Sequence, residues 1–166
     1  VLLPCNLITE IRRSQIKKNA ILFSASNYKK SSLIRADDLP GVKYDIHAMY
    51  KRLIQIGFEV KQIENVSKDQ IIPALEDNAS NSPCDAIHIV YFTGHGGHAN
   101  GNNYIYPIDF ASRFDTSKDI ETSAMNIRDI ISIYKGKGRL ILILDACRSD
   151  FESSKGYYSE ITAAED

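Results

Sequence analysis

Cysteine is scarce in this chain, charge is balanced, and long apolar runs are missing. The three cysteines, Cys5, Cys84 and Cys147, are odd in number and form no C-x-x-C pair. That argues against a disulfide framework and a four-cysteine zinc site. Reduced thiols in a cytoplasmic protein are the simplest reading. The net charge is −1, with no block of one sign, so the electrostatic footprint of a nucleic-acid binder is missing. A membrane span needs about 20 consecutive apolar residues, and the longest run here is only Leu140 to Leu144. The opening "VLLPC" lacks the charged lead and apolar core of a secretory signal. With no initiator Met, the chain reads as a processed or trimmed piece of something longer. Repeats and low-complexity tracts are absent from the sequence as well.

What is present suits one compact domain: 166 residues, 43% apolar and 25% charged. Residues 8–18 have the pattern of a short amphipathic helix. "NAILFSAS" (19–26) reads as a buried strand, and 27–41 as a loop punctuated by Pro40–Gly41. Ile46, Met49, Tyr50, Leu53 and Ile56 then follow helical spacing, with Gly57 placed to end the helix. "FEVKQI" (58–63) alternates like a strand. Ser67 and Gln70 fit a capping box for a second helix that contains Pro73. "AIHIVYF" (86–92) is a second buried strand, Asn100–Gly101 a tight turn, and "YIYPI" (104–108) a short edge strand tolerating Pro107. Ile127, Ile130, Ile131 and Tyr134 form another helical stripe, ended by Gly136, before the third buried strand, "RLILIL" (139–144). After Phe151 the chain is polar. Alternating helices and continuously apolar strands predict a parallel sheet with helices on both faces. Ligands in such folds bind beyond the carboxyl ends of the strands.

Two of the buried strands run into reactive side chains. "AIHIVYF" leads to Thr93, Gly94 and His95, and "RLILIL" to Asp145, Ala146 and Cys147. If these strands are parallel neighbours, a thiol and an imidazole leave the sheet on one rim. A thiol with a pKa of about 8.5 needs a base to become a nucleophile at neutral pH. An imidazole with a pKa of about 6.5 can take that proton and later protonate a leaving amine. The oxyanion that forms needs donors, and the main-chain N–H groups of Gly96 and Cys147 are placed to supply them. A glycine at 96 also leaves room beside His95. Gly94, Gly96 and Ala99 match a dinucleotide fingerprint, but a turn and a strand follow where that motif requires a helix. His98 reads as a bystander, His88 as a satisfied core histidine and His47 as a partly exposed helical residue. Cys84 and Cys5 lack a strand-end context.

"YFTGHGG" and "LILDACRS", about 50 residues apart, resemble the His and Cys motifs of caspase-like cysteine peptidases. "LPGVKYDIHAMYKRLIQIGFEV" (39–60) resembles a third segment of that class, and the three fall in order. The caspase pattern has Gln where Asp145 stands and Gly where Ser149 stands. Asp two residues before the Cys is the metacaspase and paracaspase form. The resemblance spans about residues 18–150, the large-subunit half of the family's catalytic domain. It implies an α/β three-layer sandwich with large-subunit strands in the order 2-1-3-4. It also implies an organisation of N-terminal helical segment (1–18), catalytic large-subunit domain (19–151) and polar processing tail (152–166), with Lys155 as a cleavage-site candidate.

The implied activity is a cysteine endopeptidase with a Cys147–His95 dyad. The caspase R-x-G motif aligns with Leu39-Pro40-Gly41, so the arginine that binds an acidic P1 side chain is lost. Asp45, Asp145 and Thr93 take the positions of an acidic S1 pocket, which implies cleavage after Arg or Lys. The alternatives are Asp specificity, with Arg35 as a displaced anchor, and a catalytically silent scaffold. The chemistry requires no cofactor and no metal. Calcium activation stays open through Asp109, Asp115, Asp119 and Asp150, as it does in many metacaspases. Expected partners are a protein or peptide substrate, a small-subunit segment or chain, and a regulatory or oligomerisation partner. Neither nucleic acid nor membrane is expected.

Overall fold

The computed structural model describes residues 16–28, 38–80, 82–111, 117–146 and, for the backbone alone, 149–150. Strand β1 (Lys18–Ser24) is apolar on both faces, and Ala20 through Phe23 are fully buried. Ala20 and Leu22 pack towards helix α1 (Val42–Gln55). Ile21 and Phe23 pack on the other side, in the cluster that holds helices α2 (Lys68–Ser80) and α4 (Ile127–Ile133). A strand covered on both faces reads as a continuous apolar run, which is why the alternation is missing.

β2 (Glu59–Ile63) and β3 (Ile87–Gly94) flank β1, and β7 (Arg139–Ala146) lies beyond β3. The order β2-β1-β3-β7, with every pair parallel, is the expected 2-1-3-4 arrangement. The winding reverses at β1, because β2 is added on one side and β3 on the other. That reversal opens a crevice at the carboxyl ends of β1 and β3.

Helix α1 follows Pro40–Gly41 and buries Val42, Ile46 and Leu53, with Met49 and Tyr50 against the same cluster. Ile56, expected on this stripe, lies past the helix end and is exposed. The capping box of α2 is half formed: Gln70 Oε1 accepts the Ser67 N–H at 3.0 Å, but the Ser67 hydroxyl turns to the Asp69 carboxylate. Asp109, from a distant loop, accepts the Lys68 N–H at 2.9 Å instead. α2 runs on through Pro73 because Ile71, Ala74, Leu75 and Ala79 bury one face of it. Burial of about 1.5–3 kcal/mol per large side chain offsets the lost hydrogen bond.

A second, smaller sheet was not foreseen. It contains β4 (Gly96–Ala99), β5 (Asn102–Ile105), β6 (Met125–Asn126) and β8 (Ser149–Asp150), in the order β6-β5-β4-β8. Asn100 and Gly101 close the β4–β5 hairpin with φ of 47° and 73°, the signature of a type I′ turn. The segment 104–108 is therefore not an edge strand. β5 lies inside this sheet, Pro107 falls after it, and Tyr104, Ile105 and Tyr106 are buried in the main core. Helix α3 (Ser117–Ser123) buries Ile120, and α4 buries Ile130, with Tyr134 just past its end also buried, but leaves Ile131 exposed.

Two further expectations are corrected. Ile16 and Lys17 are not helical and Lys18 opens β1, so the helix read over 8–18 does not reach its last three residues; residues 1–15 lie outside the described part. β7 is only half buried, with Ile141 48% and Leu144 38% exposed. It ends the sheet, so one of its edges has no strand beside it among the described residues. Among those residues, no helix is long and apolar enough to cross a membrane.

Candidate active site

The site is assembled by three strand ends. Ser24, Thr93 and Asp145 stand opposite one another across β1, β3 and β7, and one step further Gly94 stands opposite Ala146. His95 and Cys147 are the next residues in their respective segments. The parallel, adjacent strands required for a shared rim are therefore in place. Cys147 lies outside the described residues, as do Arg35, Asp115 and Lys155 and the side chain of Asp150.

Asp45, Thr93 and Asp145, 100 positions apart from first to last, line one cavity of about 430 Å³. Pro40, Gly41, Gly94 and Ala146 contribute to the same walls. Asp45 comes from the first turn of α1, where the helix N-terminus favours a carboxylate. Thr93 is buried at the end of β3. Asp145 follows the apolar run yet is exposed, because β7 is an edge. Its Oδ2 accepts a hydrogen bond from the buried Tyr91 hydroxyl at 3.3 Å. Burial first, and then the charge of Asp145, push the Tyr91 phenol up to about 12, with Asp45 adding a smaller push and the Thr93 hydroxyl opposing it. Both carboxylates thus act on one buried phenol. Among the described lining residues there are two carboxylates and no cationic side chain.

His95 is half-buried between β3 and β4. Its N–H donates to Tyr28 Oη at 2.8 Å and its carbonyl accepts from Tyr106 N–H at 2.9 Å. The second bond that would make His95 and Tyr106 a full antiparallel pair is bridged by the Tyr28 hydroxyl, which accepts the His95 N–H and donates to the Tyr106 carbonyl. A smaller cavity, about 110 Å³, is lined by Gly96, Gly97, Leu144 and Ala146. Ala146, the residue before Cys147, thus lines both this cavity and the acidic one.

The other histidines are elsewhere. His98 lies in β4 opposite Asn103, and His47 is exposed on α1. His88 is fully buried, with Nε2 3.0 Å from the Lys137 carbonyl. Because a carbonyl only accepts, that nitrogen carries the proton, and Nδ1 has no hydrogen-bond partner among the described residues. The core histidine is therefore half satisfied, not fully. Cys84 is exposed. Among the described residues no three His, Cys, Asp or Glu side chains gather in a metal-binding group. Asp109 caps α2 and Asp119 lies in α3. Tyr28 and Tyr91 escaped the sequence reading. Tyr91 carried a faint signal, as the residue two before Thr93 on the same strand face. Tyr28, in a polar loop, carried none.

A parallel α/β sheet with His-Gly at one strand end, Asp-Ala-Cys at the next and an acidic cavity beside them defines a peptidase-like class of site. A family model of the caspase domain matches residues 17–165. The chain belongs to that family, one of cysteine-type peptidases acting on protein substrates. A search of curated proteins finds no match.

Proposed function

We propose that this chain is the large-subunit part of a cysteine endopeptidase of metacaspase or paracaspase type that cleaves after Arg or Lys. The observation that carries the reading is the β3–β7 register, Gly94 opposite Ala146, beside a cavity containing Asp45, Thr93 and Asp145. In this reading His95 takes the Cys147 thiol proton and sulfur attacks the peptide carbonyl. The main-chain N–H groups of Gly96 and Cys147 hold the oxyanion. The C–N bond breaks as His95 returns the proton to the amine, leaving a thioester. Water, deprotonated by His95, attacks the thioester, releasing the acid and restoring the thiol.

The lining supports a cationic P1 residue. Asp45 and Asp145 repel an aspartate, whereas arginine can pair with a carboxylate through two parallel hydrogen bonds. A small-subunit segment, from the same precursor or a second chain, is the further partner, and the edge of β7, which has no strand beside it among the described residues, supports it. Lys155 is the proposed processing position.

Peptide reporters differing only at P1 test this. Like-charge juxtaposition costs several kcal/mol, so Arg or Lys reporters should outpace the Asp reporter by on the order of 100-fold or more. Faster turnover of the Asp reporter would overturn the acidic-pocket reading. Cys147→Ala should abolish turnover, and iodoacetamide should label Cys147 faster than Cys84. Equal labelling with no turnover would favour the scaffold reading.

A further inference from the structure

We infer that Tyr28 is the positioning residue of His95: its phenol and ring set where the imidazole stands at the strand rim. The inference rests on the peptidase reading above, in which His95 is the base. Tyr28 is 6% exposed and comes from the loop after β1, 67 residues before His95. Its hydroxyl oxygen accepts the His95 N–H at 2.8 Å and donates to the Tyr106 carbonyl at 3.0 Å. One buried O–H thus ties the end of β3 to the segment after β5. Its ring also meets the imidazole directly, with centroids 4.8 Å apart and planes tilted by 51°. Tilted aromatic pairs at this separation have a preferred geometry. Main chain and ring of His95 are therefore both held by the same side chain.

The support beneath Tyr28 is densely hydrogen-bonded. Asn65, in a left-handed conformation with φ of 52°, turns Oδ1 onto three donors: Ser26 N–H, Ser26 Oγ and Asn27 N–H, at 3.1, 3.0 and 3.1 Å. Asp38 Oδ1 accepts the Tyr28 N–H at 3.1 Å, and Leu39 N–H donates to Ser26 O at 3.0 Å. On the other side, Ala25 N–H donates to Thr93 O at 3.0 Å. The approach is close enough to dictate the residue at 94. A Cβ on Gly94 would lie 3.0 Å from both Ala25 O and Tyr28 Oη and 2.8 Å from Phe92 Cζ. Gly94, the residue before His95, thus leaves room for the tyrosine hydroxyl and also lines the acidic cavity. Burial holds the phenol well above its ordinary pKa, with the His95 N–H partly opposing, so the hydroxyl keeps the proton it donates to Tyr106.

The test compares wild type, Tyr28→Phe, which keeps the ring, and Tyr28→Leu, which keeps neither ring nor hydroxyl. All are made in the chain together with its small-subunit segment. Misplacement of a catalytic group by about 1 Å can cost on the order of 100-fold. Tyr28→Phe should therefore lower kcat by about 10- to 100-fold with KM little changed, and Tyr28→Leu should lower it further. Nitrogen-15 NMR supplies a readout independent of turnover: the His95 amide should shift and exchange faster in Tyr28→Phe. Folded Tyr28→Phe protein with unchanged kcat and unchanged His95 signals would overturn the inference. If wild type cleaves no reporter, the peptidase reading fails by itself. The His95 signals then decide the positioning role, a shift supporting it and constancy overturning it.

Discussion

Asp145 ends a run of five apolar residues, yet its carboxylate is exposed and leans on a buried phenol. The Tyr91–Asp145 pair gives the cavity a spectroscopic reporter. Tyr91 ionises at about 12 because burial and the adjacent negative charge both disfavour the phenolate. Asp145→Asn removes the charge but not the burial, so Tyr91 should then titrate below 12 and still above the ordinary value of about 10. Carbon-13 tyrosine NMR across the alkaline range measures this, and an unmoved Tyr91 would show that the phenol does not sense Asp145. The folded value is raised, so the contribution of Tyr91 to stability is full below about 10 and is lost as pH climbs towards 12. At this scale the sequence was legible wherever a residue sat at a strand end: Thr93, His95 and Asp145 follow apolar runs that announce the rim. Tyr28 and Tyr91 were not, because their roles arise from contacts 67 and 54 residues away.

β3 carries a second feature at the level of the element. His88 sits in its buried interior, its ring 4.9 Å from that of Tyr134, whose hydroxyl donates to Asn78 on α2 at 2.9 Å. Its Nε2–H holds the Lys137 carbonyl, just before Gly138 leads into β7. Gly138 has φ of 115°, and a Cβ there would lie 2.3 Å from Ala86 O, so the turn is tightly seated. Burial lowers the pKa of His88, opposed by the Lys137 carbonyl and assisted by the Lys17 charge. In the unfolded chain the imidazole gains a proton near pH 6.5, whereas in the fold it resists doing so. Stability should therefore fall as pH drops below about 6.5, until the lowered folded value is passed. His88→Phe should flatten that part of the urea midpoint's pH dependence while costing about 1–3 kcal/mol at neutral pH for the carbonyl left bare. An acid slope identical in both proteins would refute this role. Helix and strand positions were largely legible here, since burial on one or both faces imposes the apolar period. The second sheet was not, because Gly96–Ala99 and Met125–Asn126 are too short and too mixed to carry a period.

For the whole molecule, β7 is the edge of the main sheet among the described residues. Half the amides of an edge strand point away from its neighbour, inviting a further strand. Ile141 and Leu144 stay exposed in the chain by itself. If a small-subunit segment completes the sheet, hydrogen exchange of β7 amides should slow markedly when the two are produced together. Unchanged exchange would remove the β7 edge as the docking place.

The sequence by itself determined the α/β class, the parallel sense of the sheet and the two strand ends where the His and Cys motifs stand, while the strand order came from the family resemblance. These are local properties: an apolar run reports burial, and a reactive residue just after it reports a rim. Only the tertiary structure decided which carboxylates share a cavity, which phenol holds His95 and which strand has no neighbour on one side among the described residues. Those depend on distances between segments far apart in the chain, set by the reversal of winding at β1 and by the small sheet folded beyond β3.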